Sequence, residues 1–244
     1  MIAAAVCVPQ APLLLPGLTG RPVPEVEQVR AAIGTALPAL TGLDELIVIG
    51  AAPATATCPR DAPDPAARLA PAPRRRPEPD PLPVPLAIGR SLLDGLAGRY
   101  VLQGVHEHAT TEQCHELGRR LATPSHRTGL LIAADGSARR GEKAPGYTDP
   151  RALDLDTRIT RALDTADTTA LLALDSQDCA NQLIAGRAAW QVMASACQNT
   201  SWTTNRLYDD APFGVAYHVL TWLPSTATVS EAVGSSDAIG MAPT

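Results

Sequence analysis

The first fifty residues place two short apolar runs on either side of a segment with helical periodicity. Residues 2–8 have the length and apolarity of a buried strand that ends at Pro9, and residues 46–50 form a second strand-length run that stops at glycine. Between them, residues 25–37 carry apolar side chains at helical spacing. A strand, a helix and a strand in this order are typical of a parallel sheet covered by helices. The sequence therefore predicts an α/β fold.

The rest of the chain continues this alternation. Further strands are predicted at residues 129–134 and 213–222, and the second of these is apolar on both faces, as expected inside a sheet. Thr110 and Gln113 form the pattern of a helix capping box. Further helices are predicted over residues 114–121, 151–163, 168–174, 175–184 and 187–197. We expect a three-layer sandwich with a mixed, mostly parallel central sheet and helices on both faces.

A proline-rich segment interrupts the pattern. Residues 59–85 contain ten prolines, with Arg74, Arg75 and Arg76 in the middle. Because proline supplies no hydrogen-bond donor to a sheet and breaks helix interiors, residues 59–83 are interpreted as an irregular surface loop. The arginine run is interpreted as solvated, with anion binding as the alternative.

The boundaries of the domain follow from what flanks these elements. After the loop, residues 84–88 predict a short strand, and Ser91 is a candidate helix cap before a leucine-rich segment. Residues 1–224 then form a single domain. Beyond it, residues 225–244 are small and polar, which predicts a flexible tail.

Charge and composition exclude several classes of partner. The formal charge of −5 and the pI near 5.5 provide no long-range attraction for nucleic acid or an anionic membrane. The chain contains no apolar run of about 18 residues, so no membrane span is expected. Its amino terminus lacks the basic start of a secretory signal. Five scattered cysteines without a C-x-x-C pair favour reduced thiols and a cytoplasmic protein.

Several short pieces of the chain, taken in order, carry a family resemblance. Two are strand ends, Pro-Gln-Ala-Pro at 9–12 and Gly-Ala-Ala-Pro at 50–53. The third is the stretch 135–147, which begins Asp-Gly-Ser-Ala and is followed by Ala-Leu-Asp-Leu-Asp at 152–156, and the fourth is 208–214. Together they resemble the class III extradiol dioxygenase (LigB-like) and Memo-like superfamily over about residues 1–223. The third piece is similar to a divergent actinobacterial branch of that superfamily.

The resemblance implies an active-site pattern that this chain does not keep. Active members hold Fe(II) with two histidines and one glutamate, and a further histidine acts as acid and base. Here Gln10 stands at the first histidine, the second falls at Pro53 within 51–55, and Ala138 replaces the acid/base histidine. No glutamate occurs between residues 143 and 230. The losses predict a protein without iron-dependent ring cleavage.

Histidines elsewhere offer weak alternatives for a metal. His106 and His108 have suitable side chains, but their spacing with His115 matches no standard metal site. An exposed polar segment is the favoured interpretation, with His115 facing solvent. His218, inside the last predicted strand, is expected to be buried and hydrogen-bonded.

A basic loop follows the strand at 129–134, at the edge where open α/β sheets bind ligands. Its cations and aromatic ring could hold a phosphate or carboxylate, and the closing segment 208–210 should approach it. The candidate ligand-binding residues are Ser137, Arg139, Arg140, Lys143, Tyr147, Tyr208, Asp209 and Asp210. In the alternative, the loop is solvated and its arginines pair with Asp135, Asp209 or Asp210. No G-x-S-x-G nucleophile motif surrounds Ser137.

These observations predict a pseudoenzyme, a non-catalytic and metal-free relative of the extradiol dioxygenases. We expect it to bind a small anionic or aromatic metabolite, or another protein, in a cleft bounded by Gln10, Pro53, Ala138 and Asp209. Fe(II) is expected only if the family's chemistry survives. The alternative is an oxidoreductase, an extradiol-type dioxygenase or related enzyme, whose metal is relocated or absent. A homodimer is compatible with the resemblance.

Overall fold

The computed structural model describes residues 1–66, 80–96, 99–123 and 125–225. The strands of its sheet are β1 (Ile2–Val8), β2 (Glu45–Ala52), β3 (Ala56–Cys58), β4 (Arg99–His106), β5 (Thr128–Ala133), β6 (Trp202–Asp210) and β7 (Tyr217–Pro224). The α-helices are α1 (Pro24–Ala36), α2 (Val84–Leu93), α3 (Thr111–Ala122), α4 (Pro150–Asp164), α5 (Thr168–Leu172), α6 (Ser176–Asn181) and α7 (Arg187–Cys197). Short 3₁₀ turns lie at Pro12–Leu14 and Leu37–Leu40.

One mixed sheet runs through the molecule in the order β3-β4-β2-β5-β1-β7-β6. The four central strands β4, β2, β5 and β1 are parallel, whereas β3, β7 and β6 pair antiparallel with their neighbours. Leu131 lies between Val6 and Val48 in register, so β5 is the centre of the parallel part. The predicted α/β fold with a mixed, mostly parallel sheet is confirmed.

Each face of the sheet is covered by its own helices, which completes the three layers. Side chains alternate along each strand, so Cys7 packs on one face with α3, α4 and α7, while Val6 packs on the other with α1 and α2. Helix α1 buries Val26, Val29 and Ile33, the apolar stripe that its helical spacing predicts. Both cores are built largely from aliphatic side chains.

Helix α7 is buried along its whole length, which is unusual for a helix in an outer layer. It packs against α3, where a Cβ added to Gly118 would lie 2.5 Å from the Cβ of Ser195. Glycine at this position therefore allows the two helices to approach closely. At its start, α3 has the predicted capping box, with Gln113 N–H donating to Thr110 Oγ1 at 3.2 Å.

Two predictions next to the proline-rich segment are wrong. Residues 84–88 begin helix α2 rather than a strand, because Pro85 lies in the first turn, where its fixed φ and missing N–H suit a helix. Ser91 lies inside α2 and donates its hydroxyl to the Ile88 carbonyl instead of capping. The last strand begins at Tyr217, since Gly214 at φ +73° turns the chain just before it.

The proline-rich segment is described only at its two ends. There, the Leu82 N–H donates to Pro63 O at 2.9 Å, and Arg90 Nη1 donates to Ala62 O at 2.6 Å. The arginine run at 74–76 and the predicted tail beyond residue 225 lie outside the described residues. Within the described ranges, no helix combines the length and apolarity needed to cross a bilayer.

Candidate functional site

The four parallel strands end at one edge of the sheet, and the residues that follow them lie close together. Because β1, β2, β4 and β5 run in the same direction, their carboxyl ends meet there. Gln10 follows β1, Pro53 follows β2, Glu107 follows β4 and Asp135 follows β5. Open α/β sheets bind their ligands at this edge, so these residues form the candidate site.

A depression of about 400 Å³ lies at this edge. Its walls are mainly proline and alanine, with one amide and one carboxylate side chain at the rim. The lining residues are Gln10, Ala51, Ala52, Pro53, Pro83, Pro85, Glu107 and Ala185. Gln10 and Pro53, two of the positions at which the family resemblance implies a histidine, therefore line the same depression.

A second depression of about 250 Å³ shares Glu107 and Ala185 with the first, so the two adjoin. Its lining residues are Glu107, His108, Ser176, Cys179, Ala180, Leu183, Ile184, Ala185 and Arg187. We call the two depressions together the strand-end groove. The groove runs from the end of β1 to the start of α7.

Two polar groups at the β1 end of the groove are buried. The main-chain N–H of Gln10 donates to Asp135 Oδ1 at 2.9 Å, which joins the ends of β1 and β5. Asp135 is only 9% exposed, and this desolvation raises its pKa to about 7. The side-chain Oε1 of Gln10 is buried and has no partner among the described residues. The wall of the groove therefore contains a buried acceptor that no described protein group satisfies.

The side chains at the strand ends do not fit Fe(II). A facial triad needs two imidazoles and a carboxylate facing one point, with positions open for substrates. Gln10 and Pro53 line the groove where the family resemblance implies imidazoles, and an amide is a poor Fe(II) ligand. In the described part of the chain, no three His, Cys, Asp or Glu side chains are grouped closely enough to hold a metal ion.

The weak metal candidates His106 and His108 lie at the end of β4. The Nδ1 of His106 accepts the main-chain N–H of His108 at 3.1 Å, so this ring nitrogen is engaged. Their rings meet edge to face with centroids 5.6 Å apart. His115 on α3 is half-buried, and its Nε2 lies 3.1 Å from Oε1 of Gln198 at the end of α7.

The segment after β5 is fastened to the segment before β7 by main-chain hydrogen bonds. Gly136 N–H donates to Ala216 O at 2.8 Å, and Ala216 N–H donates to Ser137 O at 2.9 Å. The predicted cleft bounded by Gln10, Pro53, Ala138 and Asp209 is therefore wrong as one cavity, since Ala138 and Asp209 do not line the groove.

Ser137 is not available to a ligand, because its hydroxyl and its main-chain N–H are used in hydrogen bonds inside the protein. It is fully buried, and its hydroxyl donates to Gln182 O at 2.7 Å and accepts the N–H of Arg139 at 3.1 Å. Its own N–H donates to Asp156 Oδ1 at 2.9 Å. Ser137 thus links the end of β5 to α4 and to the residues that follow α6.

The basic loop is fixed by an ion pair inside the molecule. Arg140 Nη1 lies 2.9 Å from Asp156 Oδ2, and the Asp156 side chain is 1% exposed. The sequence predicted Asp135, Asp209 or Asp210 as the partner of an arginine in this loop. That prediction is wrong, because the partner of Arg140 is Asp156. Asp156 occupies a core-facing position of α4, which brings its carboxylate under the loop.

Arg140 also lines a separate cavity of about 500 Å³ between α4 and β6. Asp209 and Asp210 line the same cavity, so the structure brings these three predicted residues together. Arg206 joins them, with Nη1 3.0 Å from Asp164 Oδ2 and 3.1 Å from Asp209 Oδ2. Acidic and basic groups are therefore mixed in this cavity, in contrast to the basic site that the loop sequence suggested.

His218 lies behind this cavity and is 1% exposed. Its Nδ1 is 3.1 Å from Asp209 Oδ1, and His218, Arg206 and Arg140 lower the pKa of Asp209. The expected burial of His218 is confirmed, and its polar partner is the carboxylate of Asp209, although the angle of this contact departs from regular hydrogen-bond geometry. The ring of Trp190 packs against it edge to face at 5.9 Å.

The remaining predicted ligand-binding residues point in different directions. Lys143 is exposed, and Tyr147 is 90% exposed. The Nε of Arg139 is buried without a partner among the described residues. Tyr208 packs with the core on the α1 side of the sheet, and burial raises its pKa. The structure therefore does not gather these four side chains into one site.

Sequence reasoning missed Arg187 and the pairing of Asp156. Arg187 is the first residue and the only charged one of a largely apolar helix, and Asp156 lies on the apolar stripe of α4. A charged residue at a position that the helical period assigns to the core is a signal that it has a buried partner or function. That signal was present in both segments.

Comparisons with known proteins establish the fold and nothing further. No protein-family model matches the chain, and no curated protein matches it. Among solved structures, the chain is similar to the crystal structure of the uncharacterized protein JW3007 from Escherichia coli K12, with a TM-score of 0.53 and 12% sequence identity. The similarity covers 91% of this chain and 99% of that one. At this identity the likeness supports the α/β fold alone.

Proposed function

We propose that this chain is a LigB-like protein that binds a small molecule in the strand-end groove without iron-dependent ring cleavage. The main support for this proposal is the set of side chains in the groove that could coordinate a metal ion. Gln10 and Pro53 stand at its strand ends, and the lining residues contain no pair of imidazoles. A protein with this donor set can bind a metabolite, but it lacks the ligands that the family's chemistry requires.

The shape and lining of the groove support a small-molecule ligand. Ligand sites are mostly apolar concave surfaces with a few placed polar groups, and typical volumes are several hundred Å³. The two depressions of about 400 and 250 Å³ have this character, with aliphatic and proline walls beside Gln10 and Glu107. The unpartnered Oε1 of Gln10 offers an acceptor for a ligand hydroxyl or amine.

Asp135 gives specific support to the alternative, an oxidoreductase or related enzyme that needs no metal at the strand ends. A carboxyl with a pKa near 7 at the mouth of a parallel sheet is suited to general acid–base chemistry. This alternative requires that Asp135 reach a bound substrate. The 9% exposure of its side chain and its bond to Gln10 N–H favour the binding role.

The proposal also covers the cellular compartment of the protein, its partners and its assembly. All five cysteines are free thiols, as expected in a reducing compartment such as the cytoplasm. The net charge of −5 disfavours nucleic acid and anionic membranes as partners. The ligand is a small anionic or aromatic metabolite, and the assembly is a homodimer.

Thermal unfolding with catechol and protocatechuate tests the binding claim. A ligand at tenfold its Kd stabilises the native state by about 1.4 kcal/mol, which corresponds to a rise in Tm of about 3–6 °C for a chain of this size. Pro53→Trp places a large ring over the groove from an exposed position and should abolish the rise. Pro59→Trp, exposed and outside the lining, should retain it.

Oxygen uptake in the same samples tests the absence of ring cleavage. Protein supplied with Fe(II) should consume no more oxygen with either catechol than a protein-free control. Oxygen uptake that depends on both protein and Fe(II) would contradict the proposal. A Tm rise that survives Pro53→Trp would show that the ligand binds elsewhere.

A further inference from the structure

The guanidinium of Arg187 is buried at the α7 end of the strand-end groove. Arg187 is 3% exposed, although it lines the depression of about 250 Å³. Its Nη2 donates to Glu107 O and Ala109 O, each at 2.8 Å, and its Nη1 donates to Gln191 Oε1 at 2.7 Å. The side chain thus fastens the turn after β4 to the start of α7.

These three acceptors are neutral, so none of them is a counterion in direct contact with the guanidinium. Within the described residues, no carboxylate oxygen lies within 4.0 Å of the Arg187 guanidinium, and its Nε makes no hydrogen bond to them. Buried charges are usually paired, because the cost of removing an ion from water is large. A buried arginine without a counterion beside a cavity therefore suggests that the counterion is a ligand.

The wall beside Arg187 is apolar and holds a leucine in an unusual conformation. Leu183 has φ +52°, in the left-handed region that disfavours residues other than glycine, and its side chain remains 43% exposed. The turn is held by Ile184 N–H donating to Cys179 O at 2.8 Å. The turn therefore holds an apolar side chain at the wall of the cavity, where it can contact the body of a ligand.

We propose that the strand-end groove takes a small monocarboxylate, with the carboxylate at Arg187 and an apolar body against Leu183, Ile184 and Ala185. This inference rests on the proposed function and names its ligand class. One guanidinium balances one negative charge, and the carboxylate of Glu107 on the same rim disfavours a dianion such as phosphate. The position and charge of the basic loop at 139–143 pointed instead to a site there, but that loop does not line the groove.

Benzoate and its neutral isostere benzamide are the probes. Isothermal titration of the full chain should give a Kd for benzoate at least about tenfold lower than for benzamide, the size expected for one hydrogen bond to a charged group. Inorganic phosphate should bind more weakly than benzoate. Equal affinities for benzoate and benzamide, or tighter binding of phosphate, would overturn the assignment of a monocarboxylate.

Variants on α6 show whether binding occurs at this place without disturbing the core. Ala180 is exposed and lines the cavity, so Ala180→Trp should occlude it and raise the Kd of benzoate at least about tenfold. Gln177 is exposed on the same helix and does not line the cavity, so Gln177→Trp should leave the Kd unchanged. If Ala180→Trp binds benzoate like the wild type, the carboxylate site is not here.

Arg187→Met removes the charge but also the hydrogen bonds that hold the turn after β4, so it is compared with Arg187→Lys. The lysine variant keeps the charge and should retain more of the benzoate preference than the methionine variant at matched folded fraction. Equal loss in the two variants would assign Arg187 to structure alone. The monocarboxylate assignment can fail while the proposed function holds: in that case catechol still binds, and Pro53→Trp still blocks it. If catechol does not bind either, the proposed function itself fails.

Discussion

The carboxylate of Asp135 accepts the main-chain N–H of Gln10 at 2.9 Å, and this bond joins the ends of β1 and β5. The two residues belong to separate pieces of the family resemblance, 125 positions apart in the chain. Gln10 stands where the resemblance implies an imidazole, while Asp135 opens the segment that ends in Ala138. A buried carboxyl and an amide thus lie together at the edge of the sheet where the parallel strands end.

Asp135 should make stability fall as pH rises from about 4 to about 7. Burial raises its pKa to about 7 in the folded state from an ordinary value of 3.8, and the Gln10 N–H opposes this only in part. Between these values the native state binds the proton and the unfolded chain does not, so the native state loses at most about 4 kcal/mol across the interval. Asp135→Asn should remove this slope in urea unfolding.

A matched control is Asp154→Asn, which changes an exposed aspartate on α4. This variant should keep the wild-type slope between pH 4 and pH 7. An unchanged slope in Asp135→Asn would show that Asp135 is ionised in the folded protein over this interval.

Removing the charge of Asp156 should destabilise the protein strongly. Asp156→Asn leaves Arg140 without its carboxylate, and breaking a buried ion pair by losing one partner costs about 3 kcal/mol or more. Glu27→Gln breaks an exposed pair with Arg30 and should cost less than about 1 kcal/mol. Both values come from urea unfolding at pH 7. Similar costs in the two variants would mean that the buried pair contributes little to holding the basic loop.

Gly136→Ala should destabilise the fold because the methyl group has no room. A Cβ at this position would lie 2.7 Å from Asp156 Oδ1 and 2.8 Å from the Ala216 Cβ, so the loop after β5 would have to shift. We expect a loss of about 1–3 kcal/mol. Gly34→Ala on α1, where nothing lies within 4 Å, should instead stabilise by about 0.5–1 kcal/mol. Equal effects of the two substitutions would contradict the close approach.

Much of the fold could be predicted from local sequence pattern. Strand β1 and helix α7 have the predicted boundaries, because β1 is an uninterrupted apolar segment of strand length and α7 is a largely apolar segment of helix length. Strand β6 was missed since it is an edge strand with polar residues on both faces, and so has no apolar run. Helix α2 was mistaken for a strand because a short apolar run does not distinguish the two.

The candidate site was harder to predict because its contacts join distant parts of the chain. Parallel topology implied that Gln10 and Pro53 would lie at one edge, and both line the groove. The pairing of residues 136–137 with Ala216 depends on β7 lying beside β1, and Asp209 lines a different cavity from Gln10. Arg187 reaches the turn after β4 across about 80 residues, so its place in an apolar helix signals a buried partner without identifying which one.

Metal binding by the purified chain tests the central claim most directly. The protein is loaded anaerobically with Fe(II), desalted, and analysed for iron per chain, alongside Gln10→Ala and Glu107→Gln. Because the strand ends lack a facial triad, we predict far less than one iron per chain in all three proteins. One tightly held iron per chain in the wild type, lost in Gln10→Ala or Glu107→Gln, would contradict the account.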